Sequence, residues 1–181
     1  QNRFGFVETT LSIPYTDWEL ELGIGYYVVA LILITGIVNS VNLTDGIDGL
    51  ASSVTLVVGI FFSAVAFALE MKMLLLIGAA LIGATAGFLM YNFYPARVFM
   101  GDTGSLFLGG LVVGAAFLTG SPLVIVLCGI VYIIESASVI LQVGYFKLTH
   151  GKRLFLMSPI HHHFEKKGWG EVKIVTVFSL V

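Results

Sequence analysis

The chain is short of charge: only 11% of its 181 residues are Asp, Glu, Lys or Arg, where a soluble domain carries about a quarter. It holds a single cysteine, Cys128, so no internal disulfide can form, and the thiol's place in an apolar run points to packing. There is no starting methionine, and the last residues, EVKIVTVFSLV, stop inside a hydrophobic pattern, so the chain is expected to be one piece of a longer protein. The first residues are polar and lack the basic–apolar–small order of a cleavable signal peptide. A net charge of −2 says little where the placement of a few charges matters more than their sum, and no nucleic-acid partner is expected. What is abundant is apolar: 57% of residues are hydrophobic and the mean hydropathy is +0.99. That composition defines an integral membrane protein in a lipid bilayer.

Residues 5–22, GFVETTLSIPYTDWELEL, alternate apolar and polar around a Pro-Tyr-Thr-Asp break, which predicts a β-hairpin outside the lipid. Charge-poor segments follow near 23–42, 50–69, 74–93, 105–119 and 123–146, and a sixth starts near 171. A spanning helix needs about 20 apolar residues, with about 17 the lower end. The fourth segment is short, and it is parted from the fifth at Thr119-Gly120-Ser121-Pro122 because 103–134 is too long for one straight span. The expected fold is an all-α polytopic helix bundle, a single membrane domain over 1–181, with a small extracytoplasmic hairpin. If all five segments cross, the connections 43–49, 94–104 and 147–170 share one side of the membrane. They hold Arg97, Lys147, Lys152, Arg153, Lys166 and Lys167, against Arg3 and Lys72 on the other side. The positive-inside rule makes that side cytoplasmic. Within the spans, Gly83/Gly87 and Gly110/Gly114 are expected to let helices pack closely.

Three stretches on that face could carry chemistry. In VNLTDGIDGLA, Asp45 and Asp48 are three apart, and Asn42 precedes Asp45 by three, so on a helix all share a face. Gly46 and Gly49 leave room for a ligand to approach the backbone. Helix capping accounts for one such acid, with Asp48 a candidate cap for 50–69, but not for two acids and an asparagine on one stripe. An EF-hand is excluded by the missing alternation and terminal Glu. In YNFYPARVFMGDTGSLFLGG, residues 91–110, Asn92, Arg97, Phe99 and Asp102 are expected in a Pro- and Gly-punctuated loop. Asp102 alone reads best as an N-cap; with the first stretch it suggests a divalent-cation site, since magnesium needs only one or two carboxylates plus substrate phosphates.

The third stretch is THGKRLFLMSPIHHHFEKKGWG, 149–170. Adjacent His161, His162 and His163 point different ways and lack zinc-ligand spacing. With Lys152, Arg153, Lys166 and Lys167 around them, they suit an anionic ligand such as phosphate, the plainer alternative being a basic loop that fixes topology. Glu135 falls within the fifth segment, where a charge costs roughly 2.5–3.5 kcal/mol on insertion scales, so it must face the bundle or a wet cavity, pair, or be protonated. The residues do not name its partner.

NLTDGIDGLA, FMGDTGSL and SPIHHHFEKKGW, in this order, resemble the polyprenyl-phosphate N-acetylhexosamine-1-phosphate transferase superfamily, and within it the bacterial phospho-N-acetylmuramoyl-pentapeptide transferases, which SPIHHHFE favours over sugar-transferring relatives. The likeness runs over essentially the whole chain. It implies the C-terminal part of a ten-helix fold, in a bacterial plasma membrane with the active site cytoplasmic. The implied reaction moves phospho-N-acetylmuramoyl-pentapeptide from its UDP donor to undecaprenyl phosphate, releasing UMP and forming the first lipid intermediate of peptidoglycan synthesis. The resemblance assigns Mg2+ as cofactor, Asp102 as its ligand, and Asp45 as an acidic partner near the diphosphate. Gly46, Ile47, Asp48 and Phe99 resemble the uracil pocket, Phe99 stacking on the base and Asp48 accepting its N–H. Asn42 and Asn92 resemble polar members of that cleft, and His161, His162 and His163 match the catalytic-loop histidines. The adjacent aspartate pair and lysine of the family's N-terminal half are not among these residues, so the segment alone is expected to be inactive without that half; a homodimer is compatible. The rivals are a sister transferase using UDP-N-acetylglucosamine or another UDP-hexosamine and, more distantly, a cation transporter running past Glu135. A transporter should place ionisable groups at several depths or show inverted repeats, and neither is visible.

Overall fold

Hydroxyl groups recur inside the apolar runs, and the helices absorb several of them by bonding each back to the carbonyl one turn earlier. Thr44 donates to Ser40 O at 2.8 Å, Thr55 to Ala51 O at 2.6 Å and Thr85 to Leu81 O at 2.6 Å. In a span, where no water can satisfy a polar group, this local solution keeps Ser and Thr compatible with an α-helix. The computed structural model describes residues 9–12, 14 and 18–181. Two short antiparallel strands, β1 (Thr10–Ser12) and β2 (Glu19–Glu21), pair Leu11 with Leu20 within the hairpin expected over 5–22, whose residues 5–8, 13 and 15–17 lie outside the described residues.

Eight helices follow: α1 (Gly25–Thr44), α2 (Leu50–Ala68), α3 (Lys72–Asn92), α4 (Gly101–Leu118), α5 (Val124–Cys128), α6 (Ile130–Leu148), α7 (Ile160–Lys166) and α8 (Glu171–Leu180). Five of them, α1 to α4 and α6, are long and apolar enough to cross a membrane. The chain is thus an all-α polytopic membrane protein with a small sheet. Helix α2 is the most enclosed: its Val54, Val58 and Phe62 join Leu74 of α3, Val112 of α4, Tyr132 of α6 and Val175 of α8 in one core.

Along the helices the structure differs from the sequence reading. Helix α4 begins at Gly101, not near 105, so Asp102 lies in its first turn rather than in a loop. The fifth crossing is broken at Gly129, whose backbone sits against Ile125 O and Tyr132 so closely that a side chain would collide. The histidines form a short helix, α7, instead of an irregular loop. Finally, Gly83, Gly87, Gly110 and Gly114 face open space within this chain. The close approaches are made by Gly59 and Gly78 between α2 and α3, and by Gly109 against Val38 of α1.

Two contacts orient the bundle. Ser12 of β1 donates to Gly120 O at 3.1 Å, and Ser121 donates back to Ser12 O at 2.9 Å, so hairpin and α4–α5 link share one end. The connections bearing the aspartates and histidines meet at the other.

Candidate active site

Helix α1 ends at Thr44, and residues 45–49 form a turn rather than the helical stripe expected for Asp45 and Asp48. Two glycines shape the turn for different reasons. Gly49 has φ +78, a left-handed conformation that disfavours side chains, and it packs on Phe93 and the Asn92 carbonyl. Gly46 lies against the ring of His161, where a Cβ would collide with Nε2 and Cε1. The space left by these glycines is therefore filled by the protein's own rings on those sides.

Asn42, in the last turn of α1, donates its amide to Asp102 Oδ1 at 3.1 Å and to Ser105 Oγ at 2.9 Å. The sequence positions 42 and 102 are thus joined across the α1–α4 contact. Asp102 caps nothing, for no side chain caps α4, but its charge sits at the helix N-terminus, where the backbone dipole favours an anion. Asp45 lies close enough to feel that charge: burial first, and Asp102 second, hold its carboxyl above the ordinary carboxylate range.

Asp48 does not cap α2 either. Its Oδ2 accepts the Ala96 N–H at 2.8 Å, and its own N–H donates to Glu171 Oε2 at 3.2 Å. The 93–99 loop is tied down further, with the Asn92 amide donating to Val98 O at 2.9 Å and accepting from Ser52 Oγ at 3.0 Å. Both polar ends of Asn92 are thereby used inside the protein, and its residue is 3% exposed. At the end of this braced loop the Phe99 ring stands 71% exposed. Ile47 packs on the core, and Arg97 is exposed.

The three histidines diverge. His161 is fully buried, its Nδ1 3.0 Å from Glu135 Oε2, both side chains 0% exposed. His162 Nδ1 lies 2.7 Å from Glu165 Oε2, and His163 Nδ1 accepts the Leu156 N–H at 3.1 Å. Lys152, Arg153, Lys166 and Lys167 are exposed.

Glu171 escaped the sequence reading, and Glu135 was singled out without its partner, His161. Among the described residues no group of three His, Cys, Asp or Glu forms a ready metal cage. The Asp45–Asp102 pair nevertheless fits a magnesium ion, which takes one or two carboxylates and completes its shell with water and phosphate oxygens. An amide-braced acid beside a second acid held above its usual range is a place short of positive charge.

The fold defines a multi-pass membrane protein whose aspartates gather at one end of the bundle, with the exposed Phe99 ring on a connection at that end. Residues 4–120 match the family model described as glycosyl transferase family 4, and the chain belongs to that family. It is 51% identical over 178 residues to a phospho-N-acetylmuramoyl-pentapeptide-transferase of Clostridium perfringens (strain SM101 / Type A), covering 98% of this chain and 55% of the relative. Proteins of the same name from Clostridioides difficile (strain 630) and Carboxydothermus hydrogenoformans are 52% identical over 94% of the chain and 54% over 90%. The chain spans about half the length of these relatives. The family match covers both aspartate stretches, while the histidine stretch falls within the longer alignments.

Proposed function

We propose that this chain supplies the nucleotide- and metal-binding part of a plasma-membrane phospho-N-acetylmuramoyl-pentapeptide transferase. The full-length protein would transfer phospho-N-acetylmuramoyl-pentapeptide from its UDP donor to undecaprenyl phosphate, release UMP and leave the first lipid intermediate of the cell wall. The observation that carries the reading is the convergence of Asn42, Asp45, Asp48, Phe99 and Asp102 at one end of the bundle, in a chain half identical to enzymes of that name. The basic connections at that end support a cytoplasmic site under the positive-inside rule.

Phosphoryl transfer asks a protein for positioning and charge neutralisation more than for covalent chemistry. In this reading Phe99 offers its exposed face to the uracil ring, a contact worth roughly 1–3 kcal/mol in nucleic-acid complexes. Asp48 has Oδ2 fixed by Ala96 and its other oxygen available to accept the base N–H. Asp45 and Asp102 would hold Mg2+, which when bound neutralises charge on the diphosphate. Asn42 keeps the Asp102 carboxylate oriented, and His162 and His163, partly exposed, line the approach for anionic groups. Glu135 is sealed against His161 rather than lining an open path, which tells against ion transport.

The test is a comparison of UMP release by the full-length protein from UDP-N-acetylmuramoyl-pentapeptide and from UDP-N-acetylglucosamine, with undecaprenyl phosphate as acceptor and with or without Mg2+. Turnover of the muramoyl donor alone, dependent on Mg2+, is expected. Preference for the hexosamine donor would replace this reading with that of a sister transferase.

A further inference from the structure

We propose that Glu135 is a positioning residue of the candidate site, acting through the ring of His161 on the turn that holds Asp45 and Asp48; this rests on the transferase reading above. Three observations converge. Glu135 Oε2 and His161 Nδ1 are 3.0 Å apart with both side chains fully buried, although α6 and α7 are separated by an exposed connection. The opposite edge of the same ring, Nε2 and Cε1, abuts Gly46, the residue after Asp45 and two before Asp48. His161 Nε2 and Glu135 Oε1 have no hydrogen-bond partner among the described residues.

A buried carboxylate–imidazole pair is a poor way to gain stability, because removing both groups from water costs about as much as their attraction returns. An apolar pair of similar size would fill the space as well. What an apolar pair would not do is fix one orientation of a flat ring. The carboxylate selects the tautomer with hydrogen on Nδ1 and holds the ring plane, in the way a carboxylate bonded to the far nitrogen orients a metal-binding histidine. The ring then forms a rigid wall behind Gly46, and the absence of a side chain at Gly46 lets the turn rest directly on it. His162 and His163, which bond to Glu165 and Leu156 within their own stretch, have no such reach.

The experiment uses the full-length protein and reads UMP-release kcat and KM, UMP binding by calorimetry, and folded yield. Glu135→Leu should lower kcat about 10- to 100-fold at unchanged folded yield, the range for loss of a ligand-orienting partner. Glu135→Gln should restore most of it, because the amide oxygen still accepts from Nδ1–H. His161→Ala should cost as much alone as together with Glu135→Leu, since the glutamate acts only through the ring. Additive losses in the double variant would overturn the proposal, as would Gln being no better than Leu. If Glu135→Leu does not fold, Gly46→Ala probes the same contact: it should harm the wild-type background far more than the His161→Ala background, and equal harm in both would overturn the proposal. Absence of UMP release from the wild-type protein would overturn the transferase reading alone, and the Gly46–His161 coupling would then be read from thermal stability.

Discussion

The molecule handles its acidic residues in two opposite ways. Glu135 is enclosed completely, and its Oε2 lies 3.0 Å from Nδ1 of a histidine that is equally enclosed. Asp45 and Asp102 lie near each other with no cation paired to either among the described residues, and the Asp45 carboxyl is pushed up, by burial first and by Asp102 second. The first pair is closed: Glu135 Oε2 and His161 Nδ1 meet each other, and both side chains are sealed from solvent. The second is open, and in the proposed reading a cation from outside completes it. The contrast separates an acid that serves the shape of the site from acids that serve its ligand.

Removing the open charge should have the largest consequence. Asp102→Asn in the full-length protein is expected to lower UMP release about 10²- to 10³-fold, the scale of losing one electrostatic contact to the reacting group, with folded yield unchanged because Asn can still accept from Asn42. Near-full activity with Mg2+ present would erase the distinction between the two pairs. Phe99→Ala comes next: loss of a stacking face should weaken UMP binding by roughly 1–3 kcal/mol, read by calorimetry, while leaving the Mg2+ requirement intact. Unchanged nucleotide affinity would remove Phe99 from the cleft.

The open pair also depends on how closely α1 and α4 approach. Gly109 rests on Val38, with a Cβ at 109 falling 2.8 Å from the Val38 Cα, whereas the neighbouring Gly110 faces free space. Gly109→Ala should destabilise by about 1–3 kcal/mol, as overpacking does, and pull Asn42 away from Asp102; Gly110→Ala should do neither. Equal thermal stability of the two variants would show that this helix contact does not set the site.

Composition and spacing made the membrane class, the five crossings, the hairpin and the end of the bundle carrying the polar stretches legible, because apolar length and charge placement are properties of the chain itself. The partners were not legible. The spacing of Asp45 and Asp48 suggested a helical face, but Asp45 itself leaves the helical conformation, and the left-handed Gly49 closes the turn before α2 begins. The small-residue pairs drew attention to Gly83/Gly87 and Gly110/Gly114, yet which glycines meet another backbone depends on helix rotation, and Gly59, Gly78 and Gly109 are the ones that do. Glu135 announced itself by its cost in an apolar segment. Its partner lies 26 residues on, across a chain reversal that no local pattern encodes.

The smallest effect expected is also the one that tests the open pair most directly, since it is read without turnover. Burial and Asp102 raise the Asp45 pKa above its ordinary value, so the folded protein holds that proton more tightly than the unfolded chain does. The stabilisation this gives is fully present below the unfolded-state pKa and is lost as pH rises through the higher folded-state value. At neutral pH without divalent cations, ionised Asp45 is therefore a local liability, and Asp45→Asn should melt slightly higher than the wild-type protein. As pH falls below the ordinary carboxylate value the two should converge, because the wild-type carboxyl is then protonated in the folded and the unfolded state alike. Added Mg2+ should reverse the order at neutral pH, stabilising the wild-type protein and leaving the Asn variant nearly unmoved, since a bound cation stabilises only the state that binds it. Melting curves at neutral and at acid pH, with and without Mg2+, decide the matter: a wild-type protein indifferent to Mg2+ would mean that Asp45 and Asp102 do not share a cation.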